Sequence, residues 1–255
     1  MIPVGDSLRS RSFPYVNYAI ILLNAGIWIY ELTLAGTTQR IGNATMTALD
    51  RWVYDWGTVG CRVTDSCPAV FERAFADSPS AWFTLATAAF IHAGWLHLIG
   101  NMLFLWIFGD NVEDAMGHVG YLIFYLLVAI IAGLAQVASS PASTVPGVGA
   151  SGAIAGVMAA YLVLYPGATV HVVIPIIIIP WLTNLPAVIL MIFWFLMQVF
   201  SGVAALGARA TGGEGGVAWF AHIGGFVAGL ILVWFFRTRR RSYDVRHQYD
   251  RFGWG

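Results

Sequence analysis

The chain has 255 residues, 58% of them hydrophobic and only 10% charged, with a formal net charge of zero at neutral pH. A soluble domain of this size carries about a quarter charged residues, so the composition argues against a soluble enzyme and for a polytopic membrane protein. All thirteen basic residues are arginine, and the balanced charge offers no bulk attraction to nucleic acid.

Residues 1–14 read as a cytoplasmic N-terminal segment. Arg9 and Arg11 precede the apolar run Tyr15–Leu34. That run is longer than a signal-peptide core and is closed by no small-residue cleavage site, so it reads as a first membrane helix. Residues 35–80 form a long polar first loop on the outer side. It holds Asp50, Asp55, Asp65, Glu72, Asp77 and four arginines, and with Trp52, Tyr54 and Trp56 it predicts a small structured cap or interfacial lid. Cys61 and Cys67 are the only cysteines. Without nearby histidines they do not make a zinc site; a local disulfide and two free thiols both stay open, because spacing fixes no geometry.

A spanning helix needs roughly 20 apolar residues. Five further runs are candidates: Leu96–Val112 with an apolar approach from Trp82, Tyr121–Ala138, Ser151–Tyr165, Pro186–Leu206 and Val217–Phe236. The fourth span is short and is expected to begin beneath the outer surface. Val170–Trp181 is apolar but broken by Pro175 and Pro180, which predicts a β-like or interfacial connector rather than a span. The expected fold is therefore an all-α, polytopic bundle of six transmembrane helices over residues 15–237, followed by a basic tail, 238–255. Arg237, Arg239, Arg240 and Arg241 follow the last span. With Arg9 and Arg11 they put both termini in the cytoplasm by the positive-inside rule.

Polar groups inside spans are functional candidates by default. The second span places His92, His97 and Asn101, the fourth opens on Ser151, and the sixth places His222 about six residues in. These three helices all run inward, so the groups share a depth in the outer half of the membrane, while the inner halves read as almost entirely apolar. Each group also has a plainer explanation: serine in a Gly/Ala helix packs or bonds back to its own backbone, and a lone histidine or asparagine bridges helices. Together, serine, histidine and donors are what acyl transfer needs. Gly152 and Gly156 form one small face, and His222, Gly225 and Gly229 share another at i, i+3 and i+7. If these faces pack, Ser151 and His222 come within hydrogen-bond reach.

These residues resemble the rhomboid family of intramembrane serine proteases over the whole membrane portion. The GxSG motif is Gly149-Ala150-Ser151-Gly152, with Gly156 following. The second-span signature is His92-x4-His97-x3-Asn101, and the AHxxGxxxG signature is Ala221, His222, Gly225 and Gly229. The opening MIPVGDSLRSRSFPYVN is similar to a common bacterial and plastid-type start of the family. The resemblance implies a Ser151 nucleophile, a His222 base, and an oxyanion hole of His97, Asn101 and the Ser151 N–H. It implies a supporting role for His92 and a structural role for Glu113 at the inner end. It implies transmembrane protein substrates taken from the lipid bilayer and cut near its outer boundary, no metal, no cofactor, and a bacterial plasma membrane location. Oligomeric state is left open. One departure is that Phe83 and Thr84 stand where many members carry a Trp-Arg pair. The fifth helix and the Gly-rich loop after it, with Gly202, Gly207, Gly212, Gly213, Gly215 and Gly216, are candidates for a mobile gate and cap, or only a flexible loop. The alternatives are a catalytically inactive member that binds membrane clients, and a transporter lined by the same groups; a metalloprotease is disfavoured because HAGWLH is not HExxH.

Overall fold

A computed structural model describes residues 2–41, 44–176, 179–210 and 217–238. In chain order the elements are β1 (Ile2–Asp6), α1 (Tyr15–Leu34), β2 (Thr38–Ile41), β3 (Ala44–Thr47), α2 (Ala48–Trp56), β4 (Thr58–Val59), α3 (Gly60–Val63), α4 (Ala69–Ala74) and α5 (Ala81–Thr87). There follow α6 (Trp95–Phe104), α7 (Asp110–Met116), α8 (His118–Ser139), β5 (Pro146–Gly147), α9 (Ser151–Leu164), β6 (Thr169–Ile176), β7 (Ile179–Pro186), α10 (Ala187–Ala210) and α11 (Trp219–Phe236). The chain is mostly helical but not all-α: the apolar connector folds into the β6–β7 hairpin, and β1 adds antiparallel to its edge. Pro175 faces Pro180 across that hairpin. A proline-broken run too short to cross lipid must still satisfy its backbone, and strand pairing does so.

Among the described residues, α1, α8, α10 and α11 are long and apolar enough to cross a membrane; the bent pair Ala81–Phe90 and Trp95–Met116, at 82°, passes the same test together and counts as a fifth if it is one span. The chain is thus an integral, multi-pass membrane protein. The remaining expected span, the fourth in chain order, is α9, whose 14 residues rise about 21 Å, short of the roughly 30 Å hydrocarbon core. It is apolar on every side and buried from Gly152 through Tyr161, as a helix at the centre of a bundle must be. It packs chiefly against α11 and α8.

The end of the bundle opposite Ser151 is held by polar groups, contributed chiefly by β1, α1, α7 and α8. Glu113 is fully buried and accepts from the Val16 N–H at 3.0 Å and the Asn17 N–H at 2.7 Å, so it caps the start of α1 from another helix. This bears on the structural role expected of it. Between α6 and α7 the helix widens into a π segment, Leu105–Gly109. Asn17 answers that irregularity: Nδ2 donates to the Leu105 carbonyl at 2.9 Å, while Oδ1 accepts from Tyr121 at 2.9 Å. Gly109 leaves the room, since a side chain there would strike the Asn17 amide. Asp6, at the end of β1, accepts from the Tyr161 hydroxyl at 2.5 Å and from Asn111 Nδ2 at 3.1 Å.

The first loop is structured. Thr47 caps α2, Arg51 pairs with Asp55 at 2.8 Å, and Arg62 donates to the carbonyls of Tyr54 and Pro79. Tyr54, Phe71 and Phe75 cluster beneath them. Cys61 and Cys67 are joined in a disulfide, which decides between the two open expectations. Gly202 and Gly207 lie within α10, not in a loop after it. Gly212, Gly213, Gly215, Gly216 and the tail arginines Arg239–Arg241 fall outside the described residues.

Candidate active site

Ser151 is the first residue of α9, and Gly149 two residues earlier has φ +121°, a conformation reserved for glycine. A methyl carbon at Gly149 would also fall 2.6 Å from His97 Cε1 and Nε2. Glycine there turns the chain sharply into the helix and lets the histidine ring lie against the backbone. The N–H groups of Ser151, Gly152 and Ala153 open the helix and have no acceptor within it.

The two small faces do pack. Side chains on Gly225 and Gly229 would run into the backbones of Gly152 and Gly156 respectively, so α11 touches α9 backbone to backbone. That contact delivers His222 Nε2 to 2.7 Å from Ser151 Oγ. His222 lies three residues into α11, which begins at Trp219, rather than the six expected. Its ring sits between Trp194 and Trp219, with centroids at 5.7 and 6.2 Å.

His92, His97 and Asn101 gather on the other side of Gly149. Asn101 Nδ2 lies 2.9 Å from His92 Nε2. The Ala93 N–H donates to His97 Nδ1 at 3.3 Å, and an N–H only donates, so the neutral imidazole of His97 carries its proton on Nε2, toward Gly149. Asn101 spends one amide hydrogen on His92 and keeps the second. His92 Nδ1 is buried without a partner among the described residues. A cavity of about 110 Å³ opens beside Ser151, walled by Ala88, Ala132, Gln136, Val148 and Ala221. His97 and Asn101 do not line it.

Every residue expected at the outer site is thus brought together, while Glu113 stands apart at the inner end. Two buried groups were missed. Gln198 of α10 places Oε1 2.7 Å from His222 Nδ1. Glu31 of α1, 1% exposed, accepts from Trp52 Nε1 at 3.3 Å. Each is a strongly polar residue in an apolar span, the signal that singled out His97 and Asn101. Thr84, at the departure from the usual Trp-Arg pair, is buried, and its carbonyl accepts from Thr58 at 2.9 Å.

Residues 79–239, more than half of the chain, match the Rhomboid domain family model. The chain is 32% identical over 173 residues to Rhomboid-like protein 11, chloroplastic, of Arabidopsis thaliana, covering 65% of this chain and 58% of that protein. It is 40% identical over 81 residues to Rhomboid protease GluP of Bacillus subtilis (strain 168), covering 32% and 15%. It is 30% identical over 164 residues to RHOMBOID-like protein 12, mitochondrial, of Arabidopsis thaliana, covering 58% and 44%. A membrane bundle with these buried polar groups and this match makes the chain a member of the rhomboid family. It spans little more than half the length of the first of these relatives and less of the others.

Proposed function

We propose that this protein is an intramembrane serine endopeptidase that cuts transmembrane proteins near the outer membrane boundary through a Ser151–His222 dyad. The observation that carries the proposal is the 2.7 Å contact between Ser151 Oγ and His222 Nε2 at the start of a buried helix. His222 Nε2 takes the hydroxyl proton as Oγ adds to the scissile carbonyl, and the negative charge develops on the carbonyl oxygen. The Ser151 N–H, the second Asn101 amide hydrogen and His97 Nε2–H are the donors that receive it. Collapse breaks the C–N bond, His222 returns its proton to the leaving amine, and an acyl ester remains on Ser151. Water then repeats the sequence and releases the second fragment. A scissile bond must first leave its helix, so client helices with weak, small-residue stretches near the outer boundary fit best.

The topology that goes with this reading counts six spans: α1, the bent pair, α8, α9, α10 and α11. Both termini are cytoplasmic and the disulfide-bearing loop faces an oxidising side, as at a bacterial plasma membrane. The test is cleavage of a tagged transmembrane substrate in liposomes by wild type, Ser151→Ala and His222→Ala. Both variants are expected to lose cleavage while keeping the wild-type melting temperature. Cleavage that survives in either variant refutes the dyad. A wild type that binds clients without cutting any, and that no serine-directed probe labels, would make this an inactive client-binding member.

A further inference from the structure

We infer that Gln198 is the positioning residue for the His222 base, so that α10 decides whether the imidazole is ready to accept a proton. The inference rests on the protease reading above. Gln198 Nε2 donates to the Trp194 carbonyl at 3.2 Å. A carbonyl oxygen only accepts, so the NH2 end of the amide faces Trp194 and the oxygen end faces His222. That oxygen, 2.7 Å from Nδ1, also only accepts. The proton of the neutral imidazole therefore sits on Nδ1, and the lone pair of Nε2 faces Ser151 Oγ at 2.7 Å. This is the form that a general base needs; the other tautomer would donate to the serine and could not take its proton.

The site is closed enough for this bond to matter, with Gln198 7% and His222 9% exposed. A neutral amide suits the surroundings, because a buried carboxylate in the same place would carry a large desolvation cost. Trp194 and Gln198 are four residues apart on one face of α10, so the same helix supplies an aromatic wall and the acceptor. The serine and histidine, by contrast, are held by the glycine contact of α9 and α11. A displacement of α10 leaves the Ser151–His222 approach intact while removing what orients the ring.

The experiment uses the full-length protein in liposomes and compares wild type, Gln198→Met, Gln198→Leu, Gln198→Glu and Ser151→Ala. The methionine and leucine variants remove the acceptor and keep the bulk. Glutamate keeps an acceptor oxygen whether it is ionised or protonated, and when protonated its hydroxyl can donate to Trp194. The expected result is a fall in kcat of about 10²-fold for methionine and leucine with KM within about twofold, and recovery of at least tenfold with glutamate. The methionine, leucine and Ser151→Ala variants are expected to melt with the wild type, and the glutamate variant, protonated when buried, a few degrees lower. Imidazole 15N shifts, recorded in the Ser151→Ala background, are expected to report Nδ1–H with Gln198 and to lose that preference with methionine. An unchanged kcat in both apolar variants overturns the inference, as does an equal loss with glutamate or an unchanged tautomer. Cleavage surviving Ser151→Ala instead overturns the protease reading, and the 15N measurement still decides the tautomer.

Discussion

Two sets of buried polar groups occupy opposite ends of this bundle, and they are built differently. The inner set, around Asn17 and Glu113, engages both ends of its side chains: Asn17 donates to Leu105 and accepts from Tyr121, while Glu113 uses both oxygens to cap α1 and meets His118. The outer set keeps capacity in reserve. Asn101 bonds through its amide nitrogen alone, His97 Nε2–H points at bare glycine backbone, and the N–H groups that open α9 have no acceptor in the helix. A cavity lies beside Ser151. Burial of polar groups in a membrane therefore does not define a site by itself. The inner set bonds helix to helix, whereas the outer set leaves donors that the proposed reaction would use.

Four measurements would break or sharpen this contrast. The largest effect is expected for Asn101→Ala, which should lower kcat by about 10²–10³-fold with stability little changed. A matching loss of stability in denaturant titration would erase the distinction between the two ends. Glu113→Ala should do the reverse, costing about 3 kcal/mol by orphaning two N–H groups of α1, with cleavage per folded molecule retained. If its turnover falls as far as that of Asn101→Ala, the inner set is not merely structural. Replacing Cys61 and Cys67 together by serine should cost about 2 kcal/mol, the loop-closure value for so short a ring, and loosen the outer loop that meets Ser143. Intact thermal stability in the double variant would mean that its other contacts hold the cap.

The smallest effect concerns Asp6. Burial, assisted by the nearby Asp110, raises its carboxyl from 3.8 to about 6, against the opposing effects of the Tyr161 hydrogen bond and His171. A group raised in the folded state binds more protons than in the unfolded one. Its contribution to stability is therefore fully present below about pH 3.8 and is lost as the pH rises through about 6. Docking of β1 on β6 should tighten on acidification from pH 7.5 to 5.5, read as slower amide exchange in β1 after correction for intrinsic rates. Asp6→Asn should flatten that dependence, and an unaltered pH response would clear Asp6 of any part in it.

What could be read from the chain follows the physics of the solvent. Lipid demands long unbroken apolar runs, so α1 appears at the expected Tyr15–Leu34 and α9 ends one residue from the expected boundary. The outer residues were legible because they recur at helical spacings within recognisable motifs. Of the inner set only Glu113 was, through the resemblance; the rest was not, because its bonds join positions far apart: Asp6 meets Tyr161 across 155 residues, and Tyr121 meets Asn17 across 104. No local pattern encodes such pairs. The hairpin's exchange of apolar run for paired strands was foreshadowed by two prolines, but the arrival of β1 at its edge was not. Gln198 was visible as a polar residue within an apolar span, yet only the fold shows that it faces a histidine on the next helix.

The brevity of α9 has a consequence for the surrounding membrane. Because α8 and α11 flank it at 22 and 18 residues, lipid meets their lengths and not its own. The level of Ser151 is thereby set by the protein, whereas a client helix of the proposed protease would float according to the thickness of the hydrocarbon. Membranes of different compartments differ by a few ångströms in that thickness, and a helix advances about 1.5 Å per residue. Under the proposed cleavage, a shift of one membrane for another would slide such a client past the serine by one or two residues, and the bilayer would act as a ruler that helps choose which bond is presented.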